Sequence, residues 1–226
     1  MTSSHRRTVR LIALTFGALL PALGAVAAQA SAATLSVDRG CYVNTDPLVG
    51  APMTITGTGF PAGDTVDVSG SDLPATATVA ANGEFTAQAK APILSHKGPG
   101  TLNTTLTATD QTNPAVSATT VVHSTNLAVS TNPLSVSNVR KDKVTYSFSG
   151  FTPGKRIYGY YARKRIVGRI RFNKAHGPCG TLRERALLFP GGRPHNDTYT
   201  VTFESMSRYS RKAFPRVTGK LSILHF

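Results

Sequence analysis

The sequence predicts an all-β protein built as two tandem β-sandwiches behind a cleavable leader. Three observations predict it. Short runs of period-two alternation recur beyond residue 33, one pattern repeats at a constant offset of 91 residues, and the first 32 residues have the layout of an export signal. The length of 226 residues allows one large or two small domains. A collagen, a coiled coil and a strongly disordered chain are excluded, because 40% of residues are hydrophobic, only 16% are charged, and Gly numbers just 20.

The leader comes first. His5, Arg6, Arg7 and Arg10 form a positive n-region, and Leu11 to Ala28 follows without a charge. Pro21 and Gly24 end the apolar core before the roughly 20 uninterrupted residues that a membrane anchor needs. Ala28-Gln29-Ala30 and Ala30-Ser31-Ala32 both offer the small-x-small pattern of a signal peptidase site, so cleavage is expected after Ala30 or Ala32. A secreted or cell-surface protein with no transmembrane segment after cleavage is the expectation.

The strands follow in order. Met53 and Ile55 alternate with Thr54 and Thr56, Val66 and Val68 flank Asp67, and Phe85, Ala87 and Ala89 alternate with Thr86, Gln88 and Lys90. Val116, Ala118, Thr120 and Val122 make a further run. In the second half, Val144, Tyr146 and Phe148 make one run and Tyr199, Val201 and Phe203 another, while Val217 to Ile223 closes the chain. Such alternation marks strands with one buried face. Turn signals separate them at Phe60-Pro-Ala-Gly63, Ala81-Asn-Gly83, Lys97-Gly-Pro-Gly100, Thr152-Pro-Gly154 and Phe189-Pro-Gly-Gly192.

The repeat divides the chain. Thr54-Ile-Thr-Gly-Thr-Gly-Phe-Pro-Ala-Gly63 aligns with Thr145-Tyr-Ser-Phe-Ser-Gly-Phe-Thr-Pro-Gly154, with Gly-Phe-x-x-Gly as the shared core. Glycines there supply unusual backbone angles at a tight corner and the Phe plugs the sandwich end. Leu35-Ser-Val37 and Leu134-Ser-Val136 match as well. Units of about 95 residues have the size of immunoglobulin-like sandwiches. The expected organisation is a signal peptide at 1–32, a first immunoglobulin-like β-sandwich at 33–128 and a second at 129–226.

Gly57-Thr-Gly-Phe-Pro-Ala-Gly-Asp-Thr-Val66, followed by Ala80-Ala-Asn-Gly-Glu-Phe85, resembles the immunoglobulin-like modules of secreted actinobacterial proteins, including the neocarzinostatin-type sandwich. The resemblance covers roughly residues 34–123 and implies export and fold, with no activity. The neocarzinostatin type carries two internal disulfides, whereas this unit has one cysteine, so no ligand-binding residue carries over.

Cys41 and Cys179 are the only cysteines and fall in different halves. Two readings stand open: a disulfide stapling the halves, as an even count in an exported chain suggests, or two buried free thiols.

The net charge of +14 is unevenly placed. Residues 34–131 hold 3 basic and 7 acidic residues, whereas residues 132–226 hold 19 basic and 4 acidic. In Arg165-Ile-Val-Gly-Arg-Ile-Arg-Phe172, strand alternation puts Arg165, Arg169 and Arg171 on one outer face, at about 7 Å spacing. Arg183 and Arg185 repeat the pattern in the next strand. Guanidinium forks suit phosphate and carboxylate. These five arginines are therefore the expected contact with a polyanion of the cell wall or extracellular matrix, such as teichoic acid, acidic polysaccharide, anionic lipid or DNA. The competing reading is a solvated edge that deters strand aggregation. Tyr158, Tyr160 and Tyr161 are expected in the core rather than as stacking platforms, since their spacing follows the strand period. No sequence-specific nucleic-acid motif appears.

Catalytic patterns are absent or mismatched. His176-Gly-Pro-Cys179 differs from the Ser-His-Gly-Cys arrangement of exported transpeptidases, so a thiol enzyme using Cys179 is the weakest alternative. No Gly-x-Ser-x-Gly, His-Glu-x-x-His or P-loop occurs. Asp64, Asp67 and Asp72 lack a calcium-loop spacing, and no cofactor or metal is expected. The function expected is that of an exported non-enzymatic binding module, with a purely structural or protein-binding surface module as the alternative. Nothing in the sequence sets an oligomeric state.

Overall fold

The computed structural model describes residues 32–224 apart from 47, 73, 134, 135, 140 and 191–193. All of them belong to one compact unit, Ser31–Phe226, distinct from Met1–Ala30. The expected leader, Ala32 excepted, therefore lies outside the described residues, as do Leu134-Ser135 of the short repeat and Gly191-Gly192 of one turn signal.

The first half contributes β1 (Thr34–Val37), β2 (Tyr42–Asn44), β3 (Pro52–Thr58), β4 (Thr65–Ser69), β5 (Ala75–Thr78), β6 (Glu84–Lys90), β7 (Thr101–Asp110) and β8 (Ser117–Asn126). They form two sheets, in the orders β1-β3-β6 and β2-β8-β7-β4-β5. The short β2 runs parallel to β8. The second half contributes β9 (Ala128–Asn132), β10 (Lys143–Ser149), β11 (Arg156–Ala162), β12 (Ile166–Lys174), β13 (Leu182–Leu187), β14 (Asp197–Glu204) and β15 (Arg216–Ile223). Its sheets are β13-β10-β9 and β12-β11-β14-β15. Aside from the added β2, the two halves share one strand order, that of immunoglobulin-like sandwiches.

Each sandwich has its own core. The first is aliphatic, built on Ile55, Val66, Val68, Leu106 and Val122 with Phe60 and Phe85. The second is aromatic. Phe148 lies 4.8 Å from Phe172, 5.5 Å from Phe203 and 5.6 Å from Phe151, centroid to centroid. The chain has no Trp, and these edge-to-face rings fill the middle of the sandwich instead. Tyr199, near the start of β14, accepts a hydrogen bond from the His195 amide at 2.9 Å and donates to its carbonyl at 3.4 Å. This is the tyrosine corner of immunoglobulin-like domains.

The Gly-Phe-x-x-Gly repeat is a structural repeat. Both copies turn the chain from one sheet to the other, β3 to β4 and β10 to β11. Gly59 and Gly63 have φ of 80° and 86°, and Gly150 and Gly154 have 79° and 74°. The Phe60 amide donates to Gly83 and the Phe151 amide to Gly180, both at 3.2 Å. Each Phe is buried in its sandwich.

The joint between the halves is short and covalent. Leu127 alone separates β8 from β9. Cys41, just before β2, is bonded to Cys179, and their Cα atoms are 5.2 Å apart. At Gly150 an added Cβ would lie 2.9 Å from Leu127 Cα and from Val43 Cγ1. The Gly150 amide donates to Cys179 O at 3.0 Å, and Ser149 Oγ donates to Asn126 O at 2.7 Å. Asn126 Nδ2 reaches back to His96 O at 2.6 Å, tying the joint to the segment between β6 and β7.

Two outcomes test this joint. Closing a span of 138 residues, the bridge restricts the unfolded chain by about 5 kcal/mol on a loop-entropy basis. A Cys41→Ala/Cys179→Ala variant is therefore expected to show a much lower Tm by calorimetry, and an unchanged Tm contradicts the bridge. Gly180 has φ of 58°, and a Cβ there would meet Phe151 O at 1.5 Å. Gly177, with φ of 66°, has nothing within 4 Å. Denaturant unfolding should show Gly180→Ala losing about 3 kcal/mol or more and Gly177→Ala about 1 kcal/mol.

Candidate functional site

The outer face of the β12-β11-β14-β15 sheet carries the densest cationic chemistry. Its residues fall in rows across the strands. Arg171 faces Tyr158, which faces Glu204, which faces Arg216. The next row is Arg169, Tyr160, Thr202 and Thr218. Alternate residues Ile157, Tyr161, Phe172 and Phe203 point the other way, into the core.

The 205–215 segment between β14 and β15 folds back over these rows and is anchored at each end. Tyr160 Oη donates to Met206 O at 2.8 Å, and Arg169 Nη1 donates to Ser207 O at 3.0 Å. The Ser210 amide donates to Glu204 Oε1 at 2.9 Å. Arg216 donates to Arg211 O at 3.0 Å through Nη1 and to Tyr209 Oη at 2.8 Å through Nη2. Arg169 sits over the Tyr158 ring at 5.7 Å and Arg216 over the Tyr209 ring at 5.3 Å, in cation–π range. Tyr160 meets Tyr209 edge-on at 5.6 Å. The loop is thereby held in one shape, with Arg208, Arg211 and Lys212 exposed along it.

Among the described residues only two ion pairs occur, Arg39 with Asp38 and Arg163 with Asp197. Among the described residues, no carboxylate pairs with Arg169, Arg171, Arg208, Arg211, Lys212 or Arg216 within ion-pair distance. The acid on this face, Glu204, is fully buried beneath the loop. Burial pushes its carboxyl above the ordinary range, opposed by the Ser210 amide and the Arg216 charge. Burial and the Glu204 charge likewise raise the Tyr160 phenol.

The five arginines expected to act together do not share a face. Arg169 and Arg171 stand on β12 as the alternation requires. Arg165 does not, because β12 begins at Ile166 and a bulge interrupts its pairing opposite Tyr161 and Ala162. Arg165 lies in the β11–β12 turn, where its carbonyl accepts from the Arg163 amide. Arg183 and Arg185 are on β13, which pairs with β10 in the opposite sheet. Both are exposed, while Leu182 and Ala186, which flank the pair, pack on the core. The chain after β12 crosses the open edge of the sandwich, so consecutive strands present their outer faces in opposite directions.

The tyrosine expectation also needs correction. Tyr161 is in the core, its hydroxyl 3.0 Å from that of Tyr146. Tyr158 and Tyr160 face outward, beneath arginine and the loop. The consecutive Tyr160-Tyr161 pair made this alternation readable, since neighbours in a strand face opposite ways. The contribution of 205–215 was legible only as charge, because nothing local says that a loop folds back onto its own sheet.

Cys179, bonded to Cys41 and buried, offers no thiolate in this form. Among the described residues, no group of three His, Cys, Asp or Glu side chains gathers as a metal site. No helix among them is long and apolar enough to cross a membrane.

No family model and no curated protein matches the chain. Similar solved structures include a tetra-tandem repeat from the extending region of a large adhesion protein, at 16% identity and a TM-score of 0.28, covering 84% of this chain and 48% of that one. The extracellular region of plexin A4 matches at 10% identity and a TM-score of 0.32, over 76% and 23% of the two chains. A Ca2+-stabilised adhesin with which an Antarctic bacterium binds ice matches at 15% identity and 0.28, over 86% and 49%. This chain spans less than half the length of each. At these TM-scores the likeness assigns neither a family nor an activity here.

Glu204 gives this face a pH signature. A carboxyl whose folded pKa is raised contributes most below its unfolded pKa, near 4.3, and that contribution is lost as pH rises through the folded value. Glu204→Gln keeps an acceptor for the Ser210 amide without the charge. Its stability relative to the parent should therefore rise from acid toward neutral pH in urea titrations. A pH-independent difference would rule out the buried carboxylate as the cause.

Proposed function

We propose that the protein is an exported, non-enzymatic binding module whose second sandwich holds an anionic polymer of the cell envelope or extracellular matrix. The outer face of the β12-β11-β14-β15 sheet and the 205–215 loop form the contact. One observation carries the reading. Six cations stand on one side of the domain with no ion-paired acid among the described residues, on a loop and two strands, β12 and β15, joined by hydrogen bonds and ring contacts.

Arg169 and Arg216 use part of their forks to hold the loop, so they position as much as they bind. Arg171, Arg208, Arg211 and Lys212 are exposed and turn their charge to solvent. Tyr158 and Tyr209 add aromatic surface suited to sugar or base rings. The disulfide supports an oxidising compartment outside the cytoplasm. A solvated edge needs a few scattered charges; a fixed array of unpaired ones is a stronger fit to a repeating anion.

Retention on purified cell wall or on an anionic polysaccharide resin, followed against salt, tests the reading. With about four phosphate or carboxylate contacts, affinity should fall about fifty-fold between about 50 and about 200 mM salt. An Arg171→Glu/Arg208→Glu/Lys212→Glu variant should lose retention and the salt slope while its Tm stays near that of the parent. Retention that ignores salt, or that survives the triple reversal, overturns the proposal.

A further inference from the structure

We propose that the cleft between the two sandwiches is a second, discrete site for a multiply charged oxyanion of the phosphate class. It goes beyond the polymer-holding face and uses different side chains. The cleft, of about 720 Å³, opens where the 99–101 segment of the first sandwich meets the edge of the second. Arg156, Lys174, His176 and Arg183 line it, together with Thr101 and Ser147. No Asp or Glu is among its described lining residues.

The charge arrangement is costly unless something neutralises it. Arg156 and Lys174 are direct partners across β11 and β12, and like charges placed opposite one another destabilise a sheet. Arg183, from β13, lines the same cleft and adds a third cation. One acid stands at the edge of the cleft: Glu184, next to Arg183, accepts from the Asn173 amide through Oε2 at 2.8 Å, bridging β12 and β13, and offsets part of this positive charge. A bound oxyanion supplies the missing counter-charge, and two guanidiniums with an ammonium match an anion bearing more than one charge.

The cleft is also preorganised. His176 sits on a tight turn closed by two hydrogen bonds, His176 N to Thr181 O at 2.7 Å and Thr181 N to His176 O at 2.8 Å. That turn contains Cys179, so the bridge to Cys41 holds the second wall of the cleft against the first sandwich. Arg156 Nη1 donates to Phe172 O at 3.4 Å, which orients its fork. A site whose backbone walls are already placed loses less entropy on binding. Within the His176-Gly-Pro-Cys179 segment, His176 lines the cleft and Cys179 carries the bridge.

The test is calorimetric titration of the full chain with inorganic tripolyphosphate and, separately, with a short synthetic phosphodiester oligomer. The first probe represents a free oxyanion and the second a group on a polymer; binding of either that shifts the Thr101 and Ser147 amides supports the site and names its source. Lys174→Gln/Arg183→Gln should weaken binding about tenfold or more, whereas Arg171→Gln/Lys212→Gln on the outer face should change it by about twofold at most. In the unsubstituted protein, amide shifts at Thr101 and Ser147 on adding the probe read the site without any variant. Absence of binding by both probes overturns the proposal. So does weakening by the outer-face pair alone with silent Thr101 and Ser147, a result that leaves the polymer-holding face standing.

Discussion

Everything in the described chain depends on how tightly the two sandwiches are joined. One residue, Leu127, connects them, and the Cys41–Cys179 bond closes the joint from the other side. Two tethers so close together leave little room for hinge motion. They also press backbone against backbone. Gly150 is tolerated beside Leu127 and Val43, and Gly180 against Phe151, because neither has a Cβ. The corner that starts β11 is therefore at once a turn of the second sandwich and part of its seam with the first. Buried polar groups at the seam are tied into it: Ser149 to Asn126, and Asn126 to the 96–98 carbonyls.

That rigid seam gives the charge its geometry. A flexible tandem would present its cations as an average. Here the β12-β11-β14-β15 sheet faces one direction, the β13-β10-β9 sheet the other, and the cleft lies between the sandwiches. The basic half of the chain is thus divided between two sheets and a cleft. The aromatic core beneath them serves the same end, because interlocked rings hold the strands in register and so hold the arginines in rows. On the outer face, arginine stacks on tyrosine and hydrogen-bonds loop carbonyls, so some cations act as scaffold for others.

Much of this was legible in the sequence. Alternation marked β3, β4, β6, β8, β10, β14 and β15, because burial of one face imposes period two on any strand. The 91-residue offset located both sheet-to-sheet corners, because a positive φ and a buried Phe leave a mark at fixed positions. β7 alternates as well, Leu102, Leu106 and Ala108 against Thr105, Thr107 and Thr109, yet it was not among the runs singled out. Arg165 was misplaced because a bulge shifts register without any residue that announces it. Arg183 and Arg185 were misplaced because alternation tells in from out within a strand and says nothing of which sheet the strand joins.

By itself, then, the sequence determined the all-β class, the doubled unit, the corners and the concentration of positive charge in the second half. These are consequences of local periodicity and composition, which neighbouring residues carry among themselves. Only the tertiary structure decided that Cys41 meets Cys179, that 205–215 lies over Tyr160, and that the arginines separate onto opposite sheets and into a cleft. Each of those joins residues far apart in the chain, and such pairings are set by the packing of whole sheets, for which no short stretch of sequence holds the instructions.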